Sequence, residues 1–449
     1  MTSILFESVP SIDFTPYHQA LENLPPVMIQ GKVTRVVGLV IEGHGPGASI
    51  GSLCRIYPQE GSASIMAEVV GFKDERILLM PLGEVHGIRP GSTIVTDRER
   101  STTKVGKGLL GRIINGLGDP LDGKGPINGD AEYPLFAEPI PPLKRAPIRN
   151  SIHLGIRAVD ALLTCGKGQR LGIFSGSGVG KSMLLGMIAR NTEADVSIIA
   201  LIGERGREVG EFISESLGED GLKRSVVIAA TSDQPPLVRL RGAYIAMAIA
   251  EYYRDMGKHV VLMMDSITRF AMAQREIGLA IGEPPTTKGY TPSVFAVIPK
   301  LVERAGPLIK GGSITGLYTV LVENDDLNDP IADALRSVLD GHIVLSRELA
   351  NQNHYPAIDC LNSISRVMRN VISKDHWEKS RELLEILAQY KKAEDMIMIG
   401  AYVSGSNPKV DRAIEMNDKI QSFLRQGIDE KVNFQDSLSA LLDVMDHKG

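Results

Sequence analysis

A chain of 449 residues is too long for one simple domain, and length alone suggests roughly three. Its 43% hydrophobic and 23% charged residues are the composition of an ordinary globular protein with large cores, and a net charge of −5 argues against a chain that blankets nucleic acid. No run of about 18 apolar residues marks a membrane span, and the N-terminus lacks the basic and apolar regions of a secretory signal.

Residues 1–25 hold a possible short amphipathic helix, Phe14 to Leu24, ending before Pro25-Pro26. They read as an arm, either docking or loosely ordered. From residue 26 to 98, short β-branched runs such as Val33–Ile41, Ala67–Phe72 and Arg76–Met80 alternate with glycine-rich turns. Close strand spacing of this kind predicts a small β-barrel or sandwich. Few aromatics interrupt it, so no stacking platform for single-stranded nucleic acid is expected.

Residues 99–149 are rich in Gly and Pro but keep recurring apolar residues, which predicts a connecting segment with defined turns. From about 150 to 365, apolar runs at 169–174, 196–202, 225–230, 259–264 and 313–321 alternate with helical stretches such as 237–256. Alternation of this type predicts a mostly parallel sheet covered on both faces. Residues 366–449 lose β signals, and helical periodicity at 377–392 and 410–425 predicts a small α-helical domain. The three cysteines, Cys54, Cys165 and Cys360, follow neither metal-ligand spacing nor a disulfide framework and read as buried thiols.

The first chemical signal is Ser175-Gly176-Ser177-Gly178-Val179-Gly180-Lys181-Ser182, between an apolar strand and a helical stretch. Strand, glycine-rich turn and helix form the context of a phosphate-binding loop. Successive backbone N–H groups make a nest for phosphate oxygens, and the helix that follows turns its positive end toward them. Lys181 would reach the β/γ-phosphates, and the Ser182 hydroxyl would be a magnesium ligand. The strict pattern places glycine at 175, where this chain has serine; a small residue is expected to fit there.

Three further groups follow in the order a nucleotide hydrolase needs. Glu204 in Gly203-Glu204-Arg205 closes an apolar strand, at the strand end that faces the ligand crevice of α/β folds; it would polarise a water, or belong to a solvated loop. Asp265 ends the run Val260–Met264 and would hold magnesium or its waters. Arg366 in Ser363-Ile364-Ser365-Arg366 is a candidate to stabilise charge on a transferring phosphoryl group. It competes with other arginines, and spacing alone does not decide whether it acts in its own subunit or a neighbour. Tyr355 in His354-Tyr355-Pro356 reads from its residues alone as a core or turn tyrosine rather than a base-stacking one.

Taken together, Gly118-x-Pro120 with Asp122-Gly123, the loop at 176–182, Gly203-Glu204-Arg205, Met264-Asp265-Ser266 with Arg269-Phe270, Tyr355-Pro356-Ala357-Ile358-Asp359 and Ser365-Arg366 resemble the rotary F/V-type ATPase catalytic subunits and their secretion relatives. The likeness runs from about residue 25 to the end. The stretches at 289–295, 339–347 and 393–402 resemble the flagellar, type III protein-export branch.

That resemblance implies an N-terminal barrel, a central RecA-like P-loop ATPase domain and a C-terminal helical domain. It implies Mg²⁺ with ATP as substrate, Glu204 as the water-activating carboxylate with Arg205 beside it, and Asp265 on the magnesium side. Tyr355 would be the adenine-stacking aromatic, and Arg366 a finger offered to the neighbouring subunit. The loop at 323–329 resembles one that faces a central stalk.

The implied assembly is a homohexamer, cytoplasmic and peripheral to the inner membrane. Its implied partners are a coiled-coil stalk protein, a peripheral-stalk-like regulator at the N-terminal arm, the export gate and chaperone–substrate complexes, with no nucleic acid. An acidic Asp-Glu-Leu-Ser-Glu-Glu-Asp segment is missing from the sequence, which weighs against the catalytic subunit of ATP synthase itself. The remaining alternatives are the ATPase of a virulence secretion system, a hexameric RNA translocase of the transcription-termination type, and a scaffold that binds nucleotide without hydrolysing it.

Overall fold

A computed structural model describes residues 13–15, 17–18, 29–58, 63–98, 101–322 and 329–446. The expected arm at 1–25 therefore falls almost wholly outside the described residues, as do residues 323–328 of the expected stalk-facing loop. The chain divides into two compact units between residues 99 and 100.

The first unit is a closed six-stranded antiparallel barrel. Closure is made by Gln30–Val37 pairing with Thr93–Arg98. Its strands alternate inward and outward, so Val33, Ile41, Cys54, Ile56, Ala67, Val69, Ile77, Leu79 and Ile94 fill the interior, the pattern expected of a small barrel packed by its own side chains. Gly43 is required by that packing, since a Cβ there would lie 2.5 Å from Ile94 Cδ1. Of the two sequence alternatives, barrel or sandwich, the barrel is the one found.

The second unit is built on one large sheet. Its strands run in the order Ile358–Ser365, Gly341–Leu345, Arg170–Ser175, Ser313–Leu321, His259–Asp265, Val196–Ile202, Ser225–Ala230 and Ile113–Asn115. Pairing is parallel from Gly341–Leu345 to Ile113–Asn115, and only the edge strand Ile358–Ser365 runs antiparallel along this path. Every residue of Val196–Ile202 and Ser225–Ala230 is buried, as parallel strands covered on both faces must be. The helix Pro236–Asp255 is buried along almost its whole length and packs against the middle strands; its buried Arg239 and Glu251 are paired, with Glu276 and Arg304, as buried charges must be. The opposite face shares one apolar cluster with the helix Lys181–Asn191 and with Leu383, Phe423 and Leu441 of the C-terminal helices.

Three long helices, Lys374–Met398, Pro408–Leu424 and Phe434–Asp446, make up the C-terminal region. Periodicity located the first two; the third was not read from the sequence. The connecting segment is less peripheral than its Gly and Pro content predicts, because Ile113–Asn115 extends the sheet. Its turn is fixed by Asp122, which accepts bonds from Arg112 at 2.7 and 2.9 Å and from the Ile113 N–H at 3.2 Å. The Arg112 guanidinium holds that carboxyl well below the usual carboxylate range.

Candidate active site

The strand Arg170–Ser175 is followed by the glycine loop and the helix Lys181–Asn191. Gly178 and Gly180 have φ of 78° and 90°, a region side chains avoid, so glycine is needed at both. Ser175, where the strict pattern has glycine, closes an ordinary strand and pairs through its carbonyl with the Val322 N–H at 3.0 Å. Nothing in the backbone demands glycine there, and the serine side chain is buried.

Three strands end around this loop. Asp265 closes His259–Asp265 and is 3% exposed. Glu204 follows Val196–Ile202. Lys181 Nζ lies 2.5 Å from Asp265 Oδ1 and 3.3 Å from Glu204 Oε1. Burial pulls the Lys181 ammonium pKa down, but the two carboxylates outweigh it and the net shift is upward. Glu204 moves above its ordinary range, chiefly because burial disfavours its charged form. The neighbouring Asp265 charge and a hydrogen bond with Glu208 add to that rise, while Lys181 opposes it.

One strand intervenes between the phosphate-loop strand and the Asp265 strand, and it contributes a residue that sequence reading missed. Thr319 Oγ1 donates to Asp265 Oδ1 at 2.7 Å. The signal was present as a threonine near the end of an apolar strand, aligned with Ile173 beside it.

The donor set fits a magnesium–nucleotide complex. Both contacts to Asp265 fall on Oδ1, so Oδ2 faces no protein donor among the described residues. Ser182, in the first turn of the helix, is exposed. Two carboxylates surround one ammonium, which leaves local charge negative. Among the described residues no three His, Cys, Asp or Glu side chains gather into a metal cage; magnesium is held by one or two carboxylates together with substrate phosphates rather than by such cages.

Tyr355 stands next to the loop. A Cβ on Gly180 would lie 3.2 and 3.3 Å from its ring carbons. A cavity of about 660 Å³ opens there, lined by Met183, Asn353, Tyr355, Gln426, Gly427 and Ile428 among others. The C-terminal segment that closes it was not found from sequence, because no local pattern marks a contact across some 270 residues.

Two expected residues stand apart. Arg205 is exposed and pairs with Glu208 at 2.7 Å rather than with Glu204 or Asp265. Arg366 follows the edge strand, whose Ser365 pairs with Gly341, while Ser175 pairs with Leu345 at the other end of the same strand. Arg366 is therefore displaced from its own phosphate loop by about five residues of strand, roughly 16 Å along the sheet. It is exposed, and its guanidinium donates to the Arg336 carbonyl at 3.3 Å. No carboxylate pairs with it among the described residues.

Strand, glycine loop and helix, with a lysine bridged to two strand-end carboxylates, define a P-loop nucleotide-binding protein. The comparisons make this specific. Family profiles described as the ATP synthase alpha/beta family beta-barrel domain and nucleotide-binding domain match residues 33–97 and 155–365. The T3SS EscN ATPase C-terminal domain profile matches residues 372–443.

A flagellum-specific ATP synthase of Bacillus subtilis is 56% identical over 92% of this chain and 94% of its own. A type 3 secretion system ATPase of Xanthomonas euvesicatoria is 48% identical over 93% and 94%. Assembled EscN from the enteropathogenic E. coli type III secretion system superposes with a TM-score of 0.87 at 45% identity, over 92% of this chain and all of that one. EscN in complex with its central stalk EscO gives 0.85 at 44% identity, with the same coverage. The chain belongs to the ATP synthase alpha/beta family, in its flagellar and type III secretion ATPase branch, and is an ATPase.

Proposed function

We propose that this chain is the Mg-ATP-hydrolysing motor of a flagellar protein-export apparatus, delivering or unfolding export substrates and releasing their chaperones. The observation that carries it is Lys181 held between Asp265 and Glu204 at the mouth of the glycine loop. The flagellar reading is favoured over the virulence one by identity, 56% against 48% for the relatives named above.

Each residue has a role in this account. The backbone N–H groups from Ser175 to Ser182 cradle the phosphates, and Lys181 exchanges its carboxylates for phosphate oxygens. Ser182 and Asp265, the latter oriented by Thr319, would hold Mg²⁺, which when bound neutralises charge on the β- and γ-phosphates. As Lys181 turns to phosphate, Glu204 loses its cation and becomes free to orient and deprotonate the attacking water. Tyr355 would stack on the base.

Arg366, displaced from its own loop and without an acid partner among the described residues, would act on the nucleotide of the next subunit. That role needs a neighbouring copy, and EscN, solved as an assembly and with a central stalk, supports the proposal of a homohexamer with a coiled-coil stalk partner. A regulator at residues 1–25, the export gate and chaperone–substrate complexes complete the proposed partners. No helix among the described residues is long and apolar enough to cross a membrane; the proposed location is cytoplasmic, peripheral to the inner membrane at the export apparatus.

The test is a pH series on Glu204. In kcat/KM, which reports the free enzyme, the acid limb is expected above the ordinary carboxylate range, with activity lost as pH falls and Glu204 takes up its proton. Glu208→Ala removes one cause of the upward shift, so the limb should move to lower pH. Glu204→Gln should keep ATP bound while turnover drops about 10²- to 10⁴-fold. Normal turnover in Glu204→Gln would remove Glu204 from the chemistry.

A further inference from the structure

The cavity beside Tyr355 has one wall from Arg157, Met183, Asn353 and Tyr355 on the phosphate-loop side and another from the end of the helix Pro408–Leu424 and the segment after it. Arg157 and Met183 lie more than 200 residues before the second wall, and one buried residue ties the two walls together. Gln426 is 4% exposed. Its Oε1 accepts the Arg157 N–H at 2.8 Å, and its Nε2 donates to the Gly155 carbonyl at 2.9 Å and the Glu430 carbonyl at 3.0 Å. Its backbone N–H donates to the Tyr355 carbonyl at 3.0 Å.

Two arginines of the sheet side hold the same segment. Arg157 donates to the Phe423 and Arg425 carbonyls at 3.2 and 3.0 Å and pairs with Glu430. Arg190 donates to the Ile428 carbonyl at 2.8 Å and also to the Ser216 carbonyl. Ser216 lies in a π-helical turn, Phe212–Leu217, that packs against Gly186 of the phosphate-loop helix. Segment 425–430 is thus fastened to the phosphate-loop side of the molecule by side chains, and the Gln426 side chain, the buried one, holds in place the backbone N–H that meets the Tyr355 carbonyl.

We infer that Gln426 is a positioning residue for the nucleobase half of the site: it fixes Tyr355 and segment 425–430 so that they form one preorganised slot. It touches no phosphate-binding group, so its loss loosens base contacts and leaves the phosphate end as it was. The inference rests on the reading of Tyr355 as the base-side aromatic. Preorganisation of this kind acts mainly on binding, because a slot that must be ordered by the ligand binds more weakly.

The experiment compares competitors with and without a base, using the full chain under assembling conditions. In Gln426→Ala, KM for ATP should rise about five- to tenfold with kcat within about twofold. The inhibition constant of ADP should rise by the same factor, while that of inorganic tripolyphosphate, which has no base, should stay put. Gln426→Met, which keeps the side-chain length, carries the same test if the alanine variant does not fold.

A tripolyphosphate constant that rises in step with ADP would overturn the inference, because it would mean general damage to the site. So would unchanged KM and ADP constants. Tyr355→Ala run in parallel separates the two levels. If it too leaves ADP binding untouched, the base-side reading fails; if it weakens ADP binding where Gln426→Ala does not, only the role of Gln426 fails.

Discussion

Replacing Lys181 by alanine should lower ATP turnover by about 10²- to 10³-fold or more, the loss seen when a preorganised charge aimed at a reacting oxyanion is removed. Lys181 is the cation paired with both Asp265 and Glu204, and nothing else among the described residues pairs with either carboxylate through a positive charge. Its pKa is shifted upward, so it stays charged across the working range. Without it the two carboxylates face incoming phosphates bare, and nucleotide binding weakens along with turnover. Lys181→Met keeps more of the packing and should show the same loss. The readouts are steady-state hydrolysis and binding of a fluorescent ATP analogue; turnover near that of the parent chain would show that the loop is not the site of chemistry.

Arg366→Ala should be still more severe, about 10³-fold or more in kcat, as for other arginine fingers. The argument is positional. The residue sits at the end of its edge strand remote from its own phosphate loop, is exposed, and among the described residues has only the Arg336 carbonyl as a side-chain partner. An arginine so placed has little to stabilise within its own chain. Its loss should leave ATP binding nearly intact, since each subunit still carries its own loop. Mixing Arg366→Ala chains with Lys181→Ala chains should restore part of the activity, because some interfaces then pair an intact loop with an intact finger. No recovery in the mixture would place Arg366 outside the neighbour's site.

The phosphate half of the site was legible in the sequence because its chemistry is local. The glycines at 178 and 180, Lys181 and Ser182 lie within one turn between a strand and a helix, and Glu204 and Asp265 each close an apolar run. Periodicity and turn chemistry report such features directly. The base half was not legible for the opposite reason. Gln426 meets Gly155 and Arg157, and only chain topology brings them together. The edge strand Ile358–Ser365 and its neighbour Gly341–Leu345 escaped for a related cause: the neighbour is five residues long, the edge strand is largely exposed or half-buried, and neither has the long apolar run of a central strand.

Arg366 shows the limit most clearly. Other arginines such as Arg157, Arg239 and Arg347 compete with it, so composition did not single it out. The family resemblance named it, but the strand register is what separates it from its own loop. Tyr355 is the reverse case. Its residues alone suggested a plain turn tyrosine, whereas the fold sets its ring against Gly180.

The most direct test of an interface-completed site is the specific ATPase rate measured against protein concentration, with oligomer mass recorded on the same samples. A rate that climbs steeply as a six-subunit species appears is the predicted result, since each loop then gains a neighbour's Arg366. A rate independent of concentration, carried by a monomer, would mean that one chain holds its whole site, and would contradict the ring motor proposed here.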